Sequence, residues 1–122
     1  MVQQSHGPAD DSRMAQEKSS PIFSTLEDDP SKSEAIDQFV IGLAEDVDQL
    51  QDADLDANLG RLGELATRLG QRAENLGYQP LAEIAAMLAN ACRDDKLEDA
   101  QAATVELTDI SGRIRRGHRG SV

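Results

Sequence analysis

From about residue 31 onward, apolar residues return every three or four positions. That is the spacing of a helix that buries one face. Ile36, Phe39, Val40, Leu43, Val47 and Leu50 mark a first stripe, over about 31–52. Leu59, Leu62, Leu65, Ala66, Leu69, Ala73 and Leu76 mark a second, and Leu81, Ile84, Ala85, Leu88 and Cys92 a third. Leu97, Ala100, Thr104, Leu107, Ile110 and Ile114 form the fourth, over about 96–115. Strand alternation is absent. Amphipathic helices joined by short connections predict an all-α fold, an up-down antiparallel four-helix bundle.

Punctuation supports these limits. Asp29-Pro30 has an acceptor side chain followed by a proline suited to a first turn, and Ser31 with Glu34 offers a competing capping box. Gly42 interrupts the first stripe, so 31–52 reads as one bent helix or two. Gly77 stands where a left-handed cap residue is expected. Gln79-Pro80 opens the third helix, and Asp95 with Glu98 has capping-box spacing before the fourth. Residues 1–20, which include His6, are polar and bury too little to offset ordering entropy, so they read as a disordered tail. Residues 21–116 form the helical domain, in which Ile22, Phe23 and Leu26 cover one end. Residues 117–122 read as a flexible tail carrying a solvated His118.

The length of 122 residues suits one domain. A formal net charge of -11 argues against nucleic acid or an anionic membrane as partner, and 2% aromatic content leaves no stacking platform for bases. Cys92 is the single cysteine, so no intrachain disulfide forms. That fits a reducing compartment. With no apolar run of membrane-spanning length and no signal pattern, a cytoplasmic location is expected. Asp52, Asp54 and Asp56 begin like a calcium loop, but Ala57 and Gly63 stand where that loop needs glycine and glutamate. The triad therefore reads as a turn in which Asp56 caps the next helix. No metal or other cofactor is expected.

The second helix holds the informative feature. On its wheel, Gly60, Gly63, Thr67, Gly70, Gln71 and Glu74 fall together, away from the apolar stripe. An interior helical glycine costs roughly 1 kcal/mol against alanine. Three on one face imply either a need for close backbone approach or relaxed selection. Arg61, Arg68 and Arg72 share an adjacent stripe, placed to pair with acids of a neighbouring helix or to meet an acidic partner.

Thr67-Arg68-Leu69-Gly70-Gln71, followed by Gly77-Tyr78, resembles the central helix of the histidine-containing phosphotransfer (HPt) domain. The family pattern is His-x-Leu-Lys-Gly, a small-residue run, then glycine and an aromatic. Leu69, Gly77 and Tyr78 match. Thr67 stands in place of the phospho-accepting histidine, Gly70 in place of the lysine, and Gln71 in place of the glycine. The resemblance runs ungapped from about Pro21 to Arg116 and takes in Pro21-Ile22-Phe23-Ser24, Glu27-Asp28-Asp29-Pro30 and Phe39-Val40. It implies a four-helix bundle with a short N-terminal capping helix. It also implies a place in two-component signalling, with a response-regulator receiver or a histidine kinase as partner.

HPt chemistry needs an exposed imidazole that is nucleophilic near neutral pH. Thr67 offers a hydroxyl of very high pKa, and neither His6 nor His118 lies on the second helix. No other catalytic set is visible, so the chain is not expected to be an enzyme. The leading reading is a phosphorylation-incompetent docking module. Its face is Gly60, Gly63, Thr67, Gly70, Gln71 and Glu74, with Arg68 and Arg72 as flanking basic contacts and a monomer as the acting form. The alternatives are an active relay using Thr67 or His118, a structural bundle that dimerises through the glycine face, and a decaying paralogue.

Overall fold

A computed structural model describes residues 20–120. The expected tail over 1–20, with His6, lies outside the described residues except for Ser20. Among the described residues the chain is all-helical. A short 3-10 turn, Pro30–Lys32, precedes four α-helices: α1 (Ser33–Leu55), α2 (Leu59–Asn75), α3 (Gln79–Arg93) and α4 (Leu97–Gly120). Each helix packs on the next, and α4 packs against α1.

The core is made by the apolar stripes. Phe39, Leu43 and Leu50 from α1, Leu62 from α2, Leu81 and Leu88 from α3, and Leu107 and Ile114 from α4 are its largest fully buried side chains. Each contributes about 1.5–3 kcal/mol over an exposed counterpart. Leu97 departs from its stripe and is 39% exposed. It is the first residue of α4 and overhangs the end of the core. Gly42 does not break α1, which runs unbroken for 23 residues.

The three connections between helices are copies of one device. Each has three residues, and each closes the preceding helix with the same pair of backbone bonds. Asn58 N–H reaches the Ala53 carbonyl and Ala57 N–H the Asp54 carbonyl. Tyr78 with Ala73 and Gly77 with Glu74 repeat the pattern, as do Lys96 with Ala91 and Asp95 with Cys92. These are Schellman closures, which need a left-handed residue just past the helix. Gly77 (φ 82°), Ala57 (φ 53°) and Asp95 (φ 61°) supply it. Only one of the three is a glycine, so only that turn was legible from sequence.

Two caps expected from sequence are displaced by these turns. Asp56 is the C-cap of α1, and Asn58 caps α2 by accepting from Arg61 N–H at 3.1 Å. Asp95 occupies the left-handed position and so does not begin a capping box; Lys96 precedes α4 instead. The start at Asp29-Pro30 does form. Asp29 accepts from the Ser31 N–H at 3.0 Å and the Ser31 hydroxyl at 2.7 Å, which removes Ser31 from the competing box.

The lead-in before Pro30 is a strap rather than a capping helix, with turns over 25–28. Its polar groups bond to the helices. Ile22 N–H donates to the Arg113 carbonyl at 3.1 Å and Thr25 N–H to the Gly77 carbonyl at 3.0 Å. The buried Ser24 hydroxyl donates to the Leu76 carbonyl at the end of α2. The other end of the strap lies on α4, where the Ile22 carbonyl oxygen would stand 2.7 Å from a methyl group built on Gly117. Residues 117–120, expected in a flexible tail, continue α4. His118 is half-buried there, with Nε2 3.5 Å from Asp37 Oδ1.

Candidate functional site

α2 and α3 meet along a seam of small residues. A methyl group built on Gly63 would stand 3.1 Å from Cys92 Cβ, and one built on Gly70 would stand 3.1 Å from Ala85 Cβ and 3.7 Å from the Ala82 carbonyl oxygen. Moving up α2 from Gly63 to Gly70 therefore moves back along α3 from Cys92 to Ala85. The two Cβ distances of 3.1 Å are shorter than the roughly 3.5–4.0 Å of an ordinary carbon contact, so a side chain at either position would push the helices apart. Gly63 and Gly70 are not part of an open face; they are where one backbone lies against the next helix. A helical wheel separates apolar from polar positions, and glycine has no side chain to report which flank it occupies. Gly60, at the start of α2, has only Asn58 Oδ1 nearby, at 3.8 Å.

A shallow groove runs above this seam in two adjoining stretches of about 390 and 240 Å³. Gly60, Gly63 and Thr67 line the first, and Thr67, Gly70, Gln71 and Glu74 the second. The six residues singled out on the α2 wheel thus share one groove, with α3 as its other wall. Thr67 is exposed where the stretches meet. Its hydroxyl donates to the Gly63 carbonyl at 2.9 Å, the backbone bond that a helical threonine commonly makes four residues back. The proton is committed to the helix itself, and no imidazole among the described residues contacts it.

The two flanking arginines separate. Arg68 is exposed at the groove's edge. Arg72 turns the other way and ties α2 to α1. Its Nη1 lies 3.1 Å from Asp46 Oδ2, and its guanidinium sits 5.2 Å from the Phe39 ring centroid. Sequence reasoning missed Arg93 of α3, which lines both stretches and donates from Nη2 to Asn90 Oδ1 at 2.6 Å. Nothing local marks Arg93, because its place depends on how α3 lies against α2.

Other chemistry is limited. Burial, followed by the charge of Asp54, pushes the Cys92 thiol above its ordinary pKa, the opposite of an activated nucleophile. Among the described residues, no group of three or more His, Cys, Asp or Glu side chains could hold a metal ion. No helix among the described residues is long and apolar enough to cross a membrane. No family model matches the chain, and no curated protein or solved structure matches it.

Proposed function

We propose that this chain is an HPt-like docking module of two-component signalling. In this reading it is an up-down antiparallel bundle that binds a response-regulator receiver or a histidine kinase in the cytoplasm and carries no phosphoryl group. One observation carries the reading. Thr67, standing where the resemblance puts the phospho-accepting histidine, is exposed in mid-groove with its hydroxyl tied to the Gly63 carbonyl. The small residues left on the groove's walls, Gly60, Thr67, Ala86 and Ala89, let a partner approach closely, while Arg68 and Arg93 on its rim offer cations to an acidic partner surface. Such a module acts by occupying a receiver or tethering a kinase.

Titration of isotope-labelled protein with receivers and kinases from the same genome tests this. The expected result is shifts at Gly60, Thr67, Gln71 and Arg93, and a loss of about tenfold or more in affinity on Thr67→Arg, which puts a long side chain into a contact patch. Shifts confined to the connections 56–58, 76–78 and 94–96 would refute it. Incubation with a phosphorylated receiver should leave the chain unlabelled; acid-labile label would show histidine transfer and overturn the phosphate-free reading. Light scattering across a concentration series should report a monomer, and a dimer would favour self-association through the same groove.

A further inference from the structure

A second groove, of about 410 Å³, runs along the other flank of α3, where that helix lies against α4. The buried residues Ile84 and Ala91 of α3 and Ala103 of α4 reach its floor. Ile84 and Ala91 are two helical turns apart, about 10 Å. Met87 stands between them on α3 and is 62% exposed. Its unbranched, polarisable side chain adapts its shape to a neighbour. The rim is acidic. Asp94 of the third connection, with Asp99 and Glu106 of α4, lines the groove against one basic residue, Lys96. No ion pair among the described residues holds any of these three carboxylates.

An occupant must bring apolar groups at the spacing of the floor and positive charge at the spacing of the rim. Asp99 and Glu106 are also two turns apart, so both rows repeat at the interval of a helix laid along the groove. Helices enter such grooves through apolar residues at i, i+3 or i+4, and i+7. Charge decides whose helix it is. A second copy of this chain carries the same net charge of -11 and is repelled. Residues 1–19 hold three acids and two bases, and so bring no positive surplus. We propose that this groove docks a basic amphipathic helix of a partner protein. The partner's apolar residues lie on Ile84, Met87 and Ala91, and its lysines or arginines meet Asp94, Asp99 and Glu106. Apolar contact supplies the affinity, while the acidic rim steers the partner and sets its register. This face works independently of the α2–α3 groove.

The probe is a synthetic helical peptide with leucines at every third or fourth position and lysines flanking them. Titrated into the isotope-labelled full chain, it should shift Met87, Ala102 and Glu106 saturably below about 1 mM, and leave Gly60 and Gln71 unmoved. The same residues in scrambled order should bind about tenfold more weakly or less, because charge without an apolar face contributes little at a solvated rim. Asp94→Lys with Glu106→Lys should weaken binding by about tenfold or more, through lost pairing and added repulsion. Glu45→Lys with Asp48→Lys makes the same change of charge at exposed positions of α1, a helix that does not line the groove. That variant should stay within about threefold of the parent, since solvent ions screen a remote charge. Circular dichroism of both double variants should match the parent; if the groove variant loses helicity, the scrambled peptide and the shifts in the parent chain decide instead. Absence of saturable shifts, equal binding of the scrambled peptide, or equal weakening by the two double variants would each overturn the proposal. So would a dimer, seen by light scattering, whose formation shifts Met87 and Ala102.

Discussion

Replacing Gly70 by alanine tests whether α2 and α3 are held as closely as the seam requires. The reference is Gly42→Ala in mid-α1, where nothing lies within 4 Å of the added methyl. That change removes only the backbone-entropy cost of a helical glycine and should stabilise the fold by about 1 kcal/mol. At Gly70 the same gain is opposed. The methyl would lie 3.1 Å from Ala85 Cβ, and restoring an ordinary contact requires the helices to move apart by roughly 0.5 Å. The displacement would be felt by Ala66, Leu69 and Ala73, all buried on the same helix. Overpacking of this kind costs about 1–3 kcal/mol. Subtracting the propensity gain leaves Gly70→Ala between about neutral and 2 kcal/mol destabilising, so the two variants should differ by roughly 1–3 kcal/mol. Urea unfolding measures this directly, with an unchanged denaturant slope showing that the unfolding reaction is the same. In thermal melts the gap should be several degrees, at ~4–8 °C per kcal/mol for a domain of this size. Equal stabilisation by both alanines would mean that Gly70 does not face α3, and the groove's geometry would be wrong.

Four further outcomes follow from the structure. Gly77→Ala should destabilise by about 2–4 kcal/mol in urea unfolding, combining left-handed strain with crowding against Ser24 and Thr25, whose hydroxyls would lie 2.7 and 2.6 Å from the new methyl. Ala57→Gly, at the equivalent position of the first connection, should instead stabilise by ~0.5–1 kcal/mol, because relief of strain exceeds the added unfolded-state entropy. Burial, aided by the charges of Glu27 and Asp37, pushes the Tyr78 phenol up to about 12 from 10.0; the folded chain therefore holds that proton more tightly. The resulting stabilisation is complete below about pH 10 and lost as pH rises through about 12, and tyrosinate absorbance followed alongside unfolding would detect it; titration of the folded chain near pH 10 would refute it. Arg72→Ala should cost ~1 kcal/mol, since its pair with Asp46 is partly exposed and its stacking on Phe39 adds a similar amount, whereas Arg68→Ala should leave the denaturation midpoint unchanged.

The amino-acid pattern alone determined that this chain is helical, where its four α-helices lie to within a few residues, and which side of each is buried. Those properties follow from local periodicity: Phe39, Leu43, Leu62, Leu88 and Leu107 repeat at the spacing of a helix, and burying them together is the dominant gain. Gly77 was also legible, because glycine is the residue that a left-handed cap most readily accepts. Ala57 and Asp95 adopt the same conformation without that signature, so their turns became visible only once the helices on either side were placed. The glycines of α2 required the third dimension most of all. A residue without a side chain leaves no mark of the direction it faces; Gly63 and Gly70 acquire meaning from Cys92 and Ala85, which are near in space but distant along the chain. Arg72, Arg93 and His118 show the same limit. Their type was known from the sequence, but their partners belong to other helices, and only the packing of those helices assigned Arg72 to Asp46, Arg93 to the groove and His118 to Asp37.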